Sequence, residues 1–83
     1  MALTVYTTSW CGPCKRLKSQ LTREGISYRE IDIEADPTAA EFVMSVNNGN
    51  QAVPTVLVVP PGGGDNIVMT NPSVAQVKKA LTV

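Results

Sequence analysis

The sequence predicts a small α/β domain: a four-stranded mixed sheet with helices on both faces, in the order strand, helix, strand, helix, strand, strand, helix. Three observations carry this expectation. Two apolar strand-like runs, Leu3–Thr7 and Thr55–Val59, are separated by two stretches with helical periodicity. Asp36-Pro37 supplies a strong helix start, and Gly25 a strong helix stop. The 83 residues suit one domain with a thin core, residues 1–83.

Leu3-Thr4-Val5-Tyr6-Thr7 reads as the first strand, and Thr8-Ser9-Trp10 as the turn out of it. Cys14, Leu17 and Leu21 then recur at helical spacing, with Lys15, Lys18 and Thr22 off that stripe, until Gly25. Tyr28, Ile31 and Ile33 belong to a second strand whose alternation is imperfect. Asp is a preferred N-cap, and Pro fits the first helical position because its missing N–H would be unpaired there. The helix begun by Asp36-Pro37 buries Ala39, Phe42, Val43 and Val46 and ends at Asn47-Asn48-Gly49. Thr55–Val59 is apolar enough to be covered on both faces. Pro60 to Asp65 forms a turn, Asn66 to Thr70 returns as a strand, and Asn71-Pro72-Ser73 opens a last helix. That helix turns Val74, Val77 and Leu81 inward, and Lys78 and Lys79 complement its C-terminal dipole.

Seven basic residues balance seven acidic ones, so the chain carries no nucleic-acid footprint and no polybasic membrane patch. No apolar run has the length of a membrane span or follows a basic segment as an export signal would. A cytoplasmic monomer is expected. In that compartment a lone cysteine pair is more often catalytic or metal-binding than structural. Zinc is disfavoured, since a closed site takes about four Cys or His ligands and the chain has two cysteines and no histidine. No metal and no permanently bound cofactor are expected.

Both cysteines lie in Trp10-Cys11-Gly12-Pro13-Cys14, at the end of the first strand and the start of the first helix. Helical residues three apart have Cα atoms roughly 5 Å apart, inside the ~4.4–6.8 Å that a disulfide requires. The unpaired N–H groups and positive dipole end of a helix favour a thiolate. In such motifs the thiol pKa falls from about 8.5 toward about 7, or about 2 kcal/mol in favour of the anion. This arrangement makes Cys11 the nucleophile and Cys14, one turn further in and more buried, the resolving thiol. Lys15 and Arg16 are candidates to stabilise the thiolate, or form a solvated helix face. Val53-Pro54-Thr55, before the third strand, is a second and weaker signal, because a proline opening a strand is common.

A strand followed at once by CxxC, and a Val-Pro-Thr before the third strand, resemble the glutaredoxin group of the thioredoxin superfamily. The resemblance runs from Thr4 to Leu81. It is closest to the actinobacterial mycoredoxins, through Tyr6–Cys11, Ala40–Val43, Ser45–Asn47, Gly49-Asn50, Val53–Val56 and Thr70–Ser73. It implies a thioredoxin-like fold of the minimal glutaredoxin type and thiol–disulfide oxidoreductase activity. It also implies a cis Pro54 lying against the CxxC, with the Val53 backbone pairing with that of the substrate. Trp10, Gly12 and Pro13 then flank the substrate.

Two departures from the family pattern matter. Gly12-Pro13 is the dipeptide typical of thioredoxins, where glutaredoxins typically carry Pro-Tyr. The scaffold is nevertheless expected to be the shorter glutaredoxin type, without the thioredoxins' extra N-terminal strand and helix, and Val5 stands where a thioredoxin has its buried acid. Glutathione-using glutaredoxins also share a Gly-Gly-x-Asp type of turn before the last helix. Here that turn reads Thr70-Asn71-Pro72-Ser73, and Gly62-Gly63-Gly64-Asp65 falls in the hairpin between the last two strands. Thr70, Asn71 and Ser73 offer hydroxyls and an amide, which suit a sugar thiol such as mycothiol better than a charged γ-glutamyl end.

The resulting expectation is reduction of mixed disulfides between proteins and mycothiol. The alternative is a dithiol electron carrier reduced directly by thioredoxin reductase. Gly12-Pro13 favours the latter, since the thioredoxin couple lies near −270 mV against about −200 to −230 mV for glutaredoxins. A non-catalytic binding module and cluster binding by a dimer complete the alternatives.

Overall fold

The computed structural model describes residues 2–60 and 64–81. The elements are β1 (Ala2–Thr7), α1 (Gly12–Arg23), β2 (Arg29–Asp32), α2 (Pro37–Val46), β3 (Thr55–Val59), β4 (Ile67–Thr70) and α3 (Val74–Leu81). The predicted order βαβαββα is the one observed. The strands form one sheet in the order β2-β1-β3-β4, with β1 parallel to β2 and both β1–β3 and β3–β4 antiparallel. Among the described residues no helix is long and apolar enough to cross a membrane.

Strand alternation divides the core in two. Leu3, Val5, Val56 and Val58 face α1 and α3, where they meet Leu17, Leu21, Val77 and Ala80. Tyr6 faces the other way and meets Ala39 and Val43 of α2 together with Ile33. The Tyr6 and Phe42 rings pack at 5.1 Å between centroids.

Local chemistry sets the helix ends. Gly25 adopts φ +71°. It closes α1 with a Gly25 N–H to Thr22 carbonyl bond and an Ile26 N–H to Leu21 carbonyl bond, a Schellman motif whose Ile26 returns to the core. The Asp36 carboxylate accepts from the Ala39 N–H at 3.1 Å and caps α2. Asn48 and Gly49 take positive φ after it.

Four details differ from expectation. Val46 is exposed rather than buried, because it is the last residue of α2, beyond the turns that pack Ala39 and Val43 against the sheet. Ala80 joins the core, while Leu81 is only partly buried against it. β2 covers only Arg29–Asp32, so Tyr28 and Ile33 reach the core from the residues that flank it. β4 starts at Ile67, and Gly62 and Gly63 of the predicted hairpin lie outside the described residues.

The register brings three segments to one end of the sheet. β1 ends at Thr7, and its neighbour Tyr6 pairs with Thr55, the first residue of β3. Thr55 pairs in turn with Thr70, the last residue of β4. The cysteine motif, the Val53-Pro54 loop and the turn before α3 therefore meet at the carboxyl end of β1.

Candidate active site

Cys11 is the N-cap of α1, in extended conformation, and Pro13 occupies the first turn. Cys11 and Cys14 form a disulfide with Cα atoms 5.3 Å apart, inside the range inferred from helical spacing. The Cys14 N–H donates to Cys11 Sγ at 3.2 Å. This orphan donor of the first helical turn favours negative charge on the sulfur once the disulfide is reduced. Cys14 is fully buried and Cys11 nearly so, at 0% and 3% exposure.

The Val53-Pro54 peptide is cis. Cys11 Sγ lies 3.7 Å from the Val53 carbonyl oxygen, within reach of a thiol donating to it. The Asn71 N–H donates to the Pro54 carbonyl at 2.7 Å, which ties the turn before α3 to this loop. Asn71 adopts φ +50°, a left-handed conformation that Asn tolerates better than most residues.

A groove of about 280 Å³ runs between α1 and the turn before α3. Pro13, Arg16, Leu17 and Gln20 line one side, and Asn71, Pro72 and Ser73 the other. Asn71 and Ser73 thus line a groove that Pro13 of the cysteine motif also borders. Thr70 does not. Its hydroxyl donates to Asn47 Oδ1 at 2.6 Å, and it is absent from the groove lining. Ser73 also caps α3: its Oγ accepts from the Gln76 N–H at 3.2 Å, and Gln76 Oε1 accepts from the Ser73 N–H at 2.8 Å. This capping box was visible in Ser73-Val74-Ala75-Gln76.

Arg16 belongs to the groove wall, whereas Lys15 is exposed on α1. Trp10 is 68% exposed beside Cys11, and its indole N–H donates to Glu34 Oε2 at 3.3 Å. Glu34, Leu17 and Gln20 had no place in the sequence reading of the site. Gln20 could have been found one helical turn beyond Arg16, but Glu34 meets Trp10 only through the fold. Behind the site Thr7 Oγ1 donates to Glu30 Oε2 at 3.0 Å, and Lys18 pairs with the same oxygen at 2.5 Å. The Lys18 hydrogen bond is the main cause that holds the Glu30 carboxyl below its ordinary value, with a smaller contribution from Thr7.

These features agree with relationships to known proteins. The glutaredoxin family model matches residues 3–59. A Mycobacterium tuberculosis protein provisionally named a glutaredoxin is 55% identical over 80 residues, covering 96% of this chain and 89% of that one. Mycoredoxin 1 of Corynebacterium glutamicum is 41% identical over 75 residues, 90% of this chain and 86% of that one. Among solved structures, the glutaredoxin-like NrdH-redoxin of Escherichia coli shares the fold, with a TM-score of 0.76 at 23% identity over 95% of this chain and 93% of that one. With its cysteine pair at disulfide distance on this scaffold, the chain belongs to the glutaredoxin family of thiol–disulfide oxidoreductases.

Proposed function

We propose that this protein reduces mixed disulfides between proteins and a low-molecular-weight sugar thiol, mycothiol, as a cytoplasmic monomer. The observation that carries the reading is the position of Cys11. Its sulfur receives the Cys14 N–H and faces the Val53 carbonyl, and Pro13 of the same motif lines a groove with Asn71 and Ser73.

The reduced Cys11 thiolate attacks the mycothiol sulfur of the mixed disulfide. That sulfur–sulfur bond breaks, the protein thiolate leaves and takes up a proton, and mycothiol is carried on Cys11. A second mycothiol thiolate then attacks the carried mycothiol sulfur, giving mycothiol disulfide and regenerating Cys11. Alternatively Cys14, within disulfide reach, attacks Cys11 Sγ and expels mycothiol. Trp10, Gly12, Pro13 and the backbone at Val53-Pro54 hold the protein side of the substrate. Asn71, Ser73, Arg16 and Gln20 offer donors and acceptors to sugar hydroxyls. Thr70, which does not line the groove, is left out of this set.

A second reading draws on Gly12-Pro13 and the ready Cys11–Cys14 disulfide: a dithiol carrier reduced by thioredoxin reductase. A coupled assay of NADPH oxidation separates the two, with mycothiol plus its reductase, glutathione plus its reductase, and thioredoxin reductase alone as electron sources. Turnover with mycothiol and its reductase supports the proposal. Turnover with thioredoxin reductase alone, and none with mycothiol, replaces it with the second reading.

A further inference from the structure

A side-chain network outside the cysteine pair holds the loop that faces it. Asn47 follows α2, and its Nδ2 donates to the Val43 carbonyl at 2.7 Å and to Thr55 Oγ1 at 3.2 Å. Its Oδ1 accepts from Thr70 Oγ1 at 2.6 Å. Thr55, fully buried, donates its own hydroxyl hydrogen to the Ala52 carbonyl at 2.8 Å. One amide thus joins the end of α2, the start of β3 and the end of β4, and reaches the 51–54 loop through Thr55. From the other side the Asn71 N–H holds the Pro54 carbonyl. Residues 51–54 belong to no helix or strand, so bonds of this kind set their position. A hydrogen-bonded network with its members satisfied is also rigid.

We propose that Asn47 is a positioning residue for disulfide exchange: through Thr55 and Ala52 it fixes the loop that carries Val53, whose carbonyl faces Cys11 Sγ at 3.7 Å. This rests on the reading that Cys11 exchanges with a disulfide docked against Val53. Without the amide, the Thr55 hydroxyl keeps only its bond to Ala52, and the substrate must complete the ordering of the loop at the expense of binding. The signature is weaker saturation with a nearly unchanged maximal rate.

The test is single-turnover reduction of a synthetic disulfide-linked peptide by the prereduced protein. Cys11 and Cys14 give up two electrons and become a disulfide, and the peptide disulfide becomes two thiols. For Asn47→Ala and Thr55→Val we expect the half-saturating peptide concentration to rise roughly tenfold, the loss of one to two hydrogen bonds. The maximal rate stays within twofold. The double variant should be no worse than Thr55→Val alone, because Asn47 reaches the loop only through the Thr55 hydroxyl. Asn47→Asp keeps the shape and the acceptor for Thr70 but replaces both amide donations, and it should behave as Asn47→Ala; it carries the test if the alanine variant does not fold. Half-saturation within twofold of wild type in the folded variants overturns the proposal, as do single effects that multiply in the double variant. Failure of the wild-type protein to reduce the peptide overturns the exchange reading instead.

Discussion

The backbone N–H of Cys14 points at the sulfur of Cys11 from 3.2 Å, so the thiol that begins the chemistry also caps the helix that carries its partner. The two roles separate by substitution. In the reduced state Cys11→Ser keeps an oxygen acceptor at the N-cap and should retain the stability of the fold while losing all exchange. Cys11→Ala should lose about 1 kcal/mol, or roughly 4–8 °C in melting temperature for a domain of this size. Thermal melts of both variants in reductant check this.

The Lys18–Glu30–Thr7 cluster makes a pH-dependent contribution. The folded Glu30 carboxyl lies below its ordinary value of 4.5, chiefly through the Lys18 hydrogen bond. A depressed carboxylate stabilises the fold above its unfolded pKa, and that contribution is lost as pH falls through the folded pKa. Glu30 is 42% exposed, so solvent screening limits the pair to about 0.5 kcal/mol. Glu30→Gln should be less stable than wild type by that amount near pH 7, and the gap should close in acid, as the pH falls through the depressed Glu30 pKa. Urea unfolding at neutral and acid pH measures it.

Gly25 tests the end of α1. Its φ of +71° is a left-handed conformation, yet a Cβ placed there would meet nothing within 4 Å. Gly25→Ala should therefore cost about 1 kcal/mol from backbone conformation alone, with no change in exchange rate. Chemical denaturation and a rate measurement on the same sample decide it.

Asn71 and Ser73 share the groove but differ in their other duties. Ser73→Ala removes a helix cap and should lower stability by about 1 kcal/mol. Asn71→Ala keeps the N–H that holds Pro54 but sets an alanine at φ +50°, at a cost of about 1 kcal/mol in stability. It should raise the KM for mycothiol several-fold, the loss of about one hydrogen bond, while leaving kcat nearly unchanged. Steady-state kinetics with mycothiol as the varied thiol provide the comparison.

Much of this was legible along the chain because it is local chemistry. Asp36 caps α2, Gly25 stops α1, and Cys11 stands at the start of a helix because each decision rests on neighbours a few residues away. The exchange pair was equally readable, since a three-residue helical spacing sets its separation. Relationships across the sheet were not readable. The Thr70 hydroxyl meets Asn47, 23 positions away, only through the pairing of β3 with β4. Glu34 and Trp10 are 24 positions apart and meet only because β1 and β2 end side by side. Val46 followed the apolar period of α2, but the helix ends there. Periodicity reports which face a residue occupies, not whether anything lies opposite it.

The most direct test of the proposed function is a Cys14→Ser variant assayed on a mycothiolated protein. Cys11 alone suffices when a second mycothiol resolves the adduct. The variant should therefore release reduced protein with mycothiol as the electron donor and remain inactive with glutathione. Activity with glutathione and none with mycothiol would contradict the account.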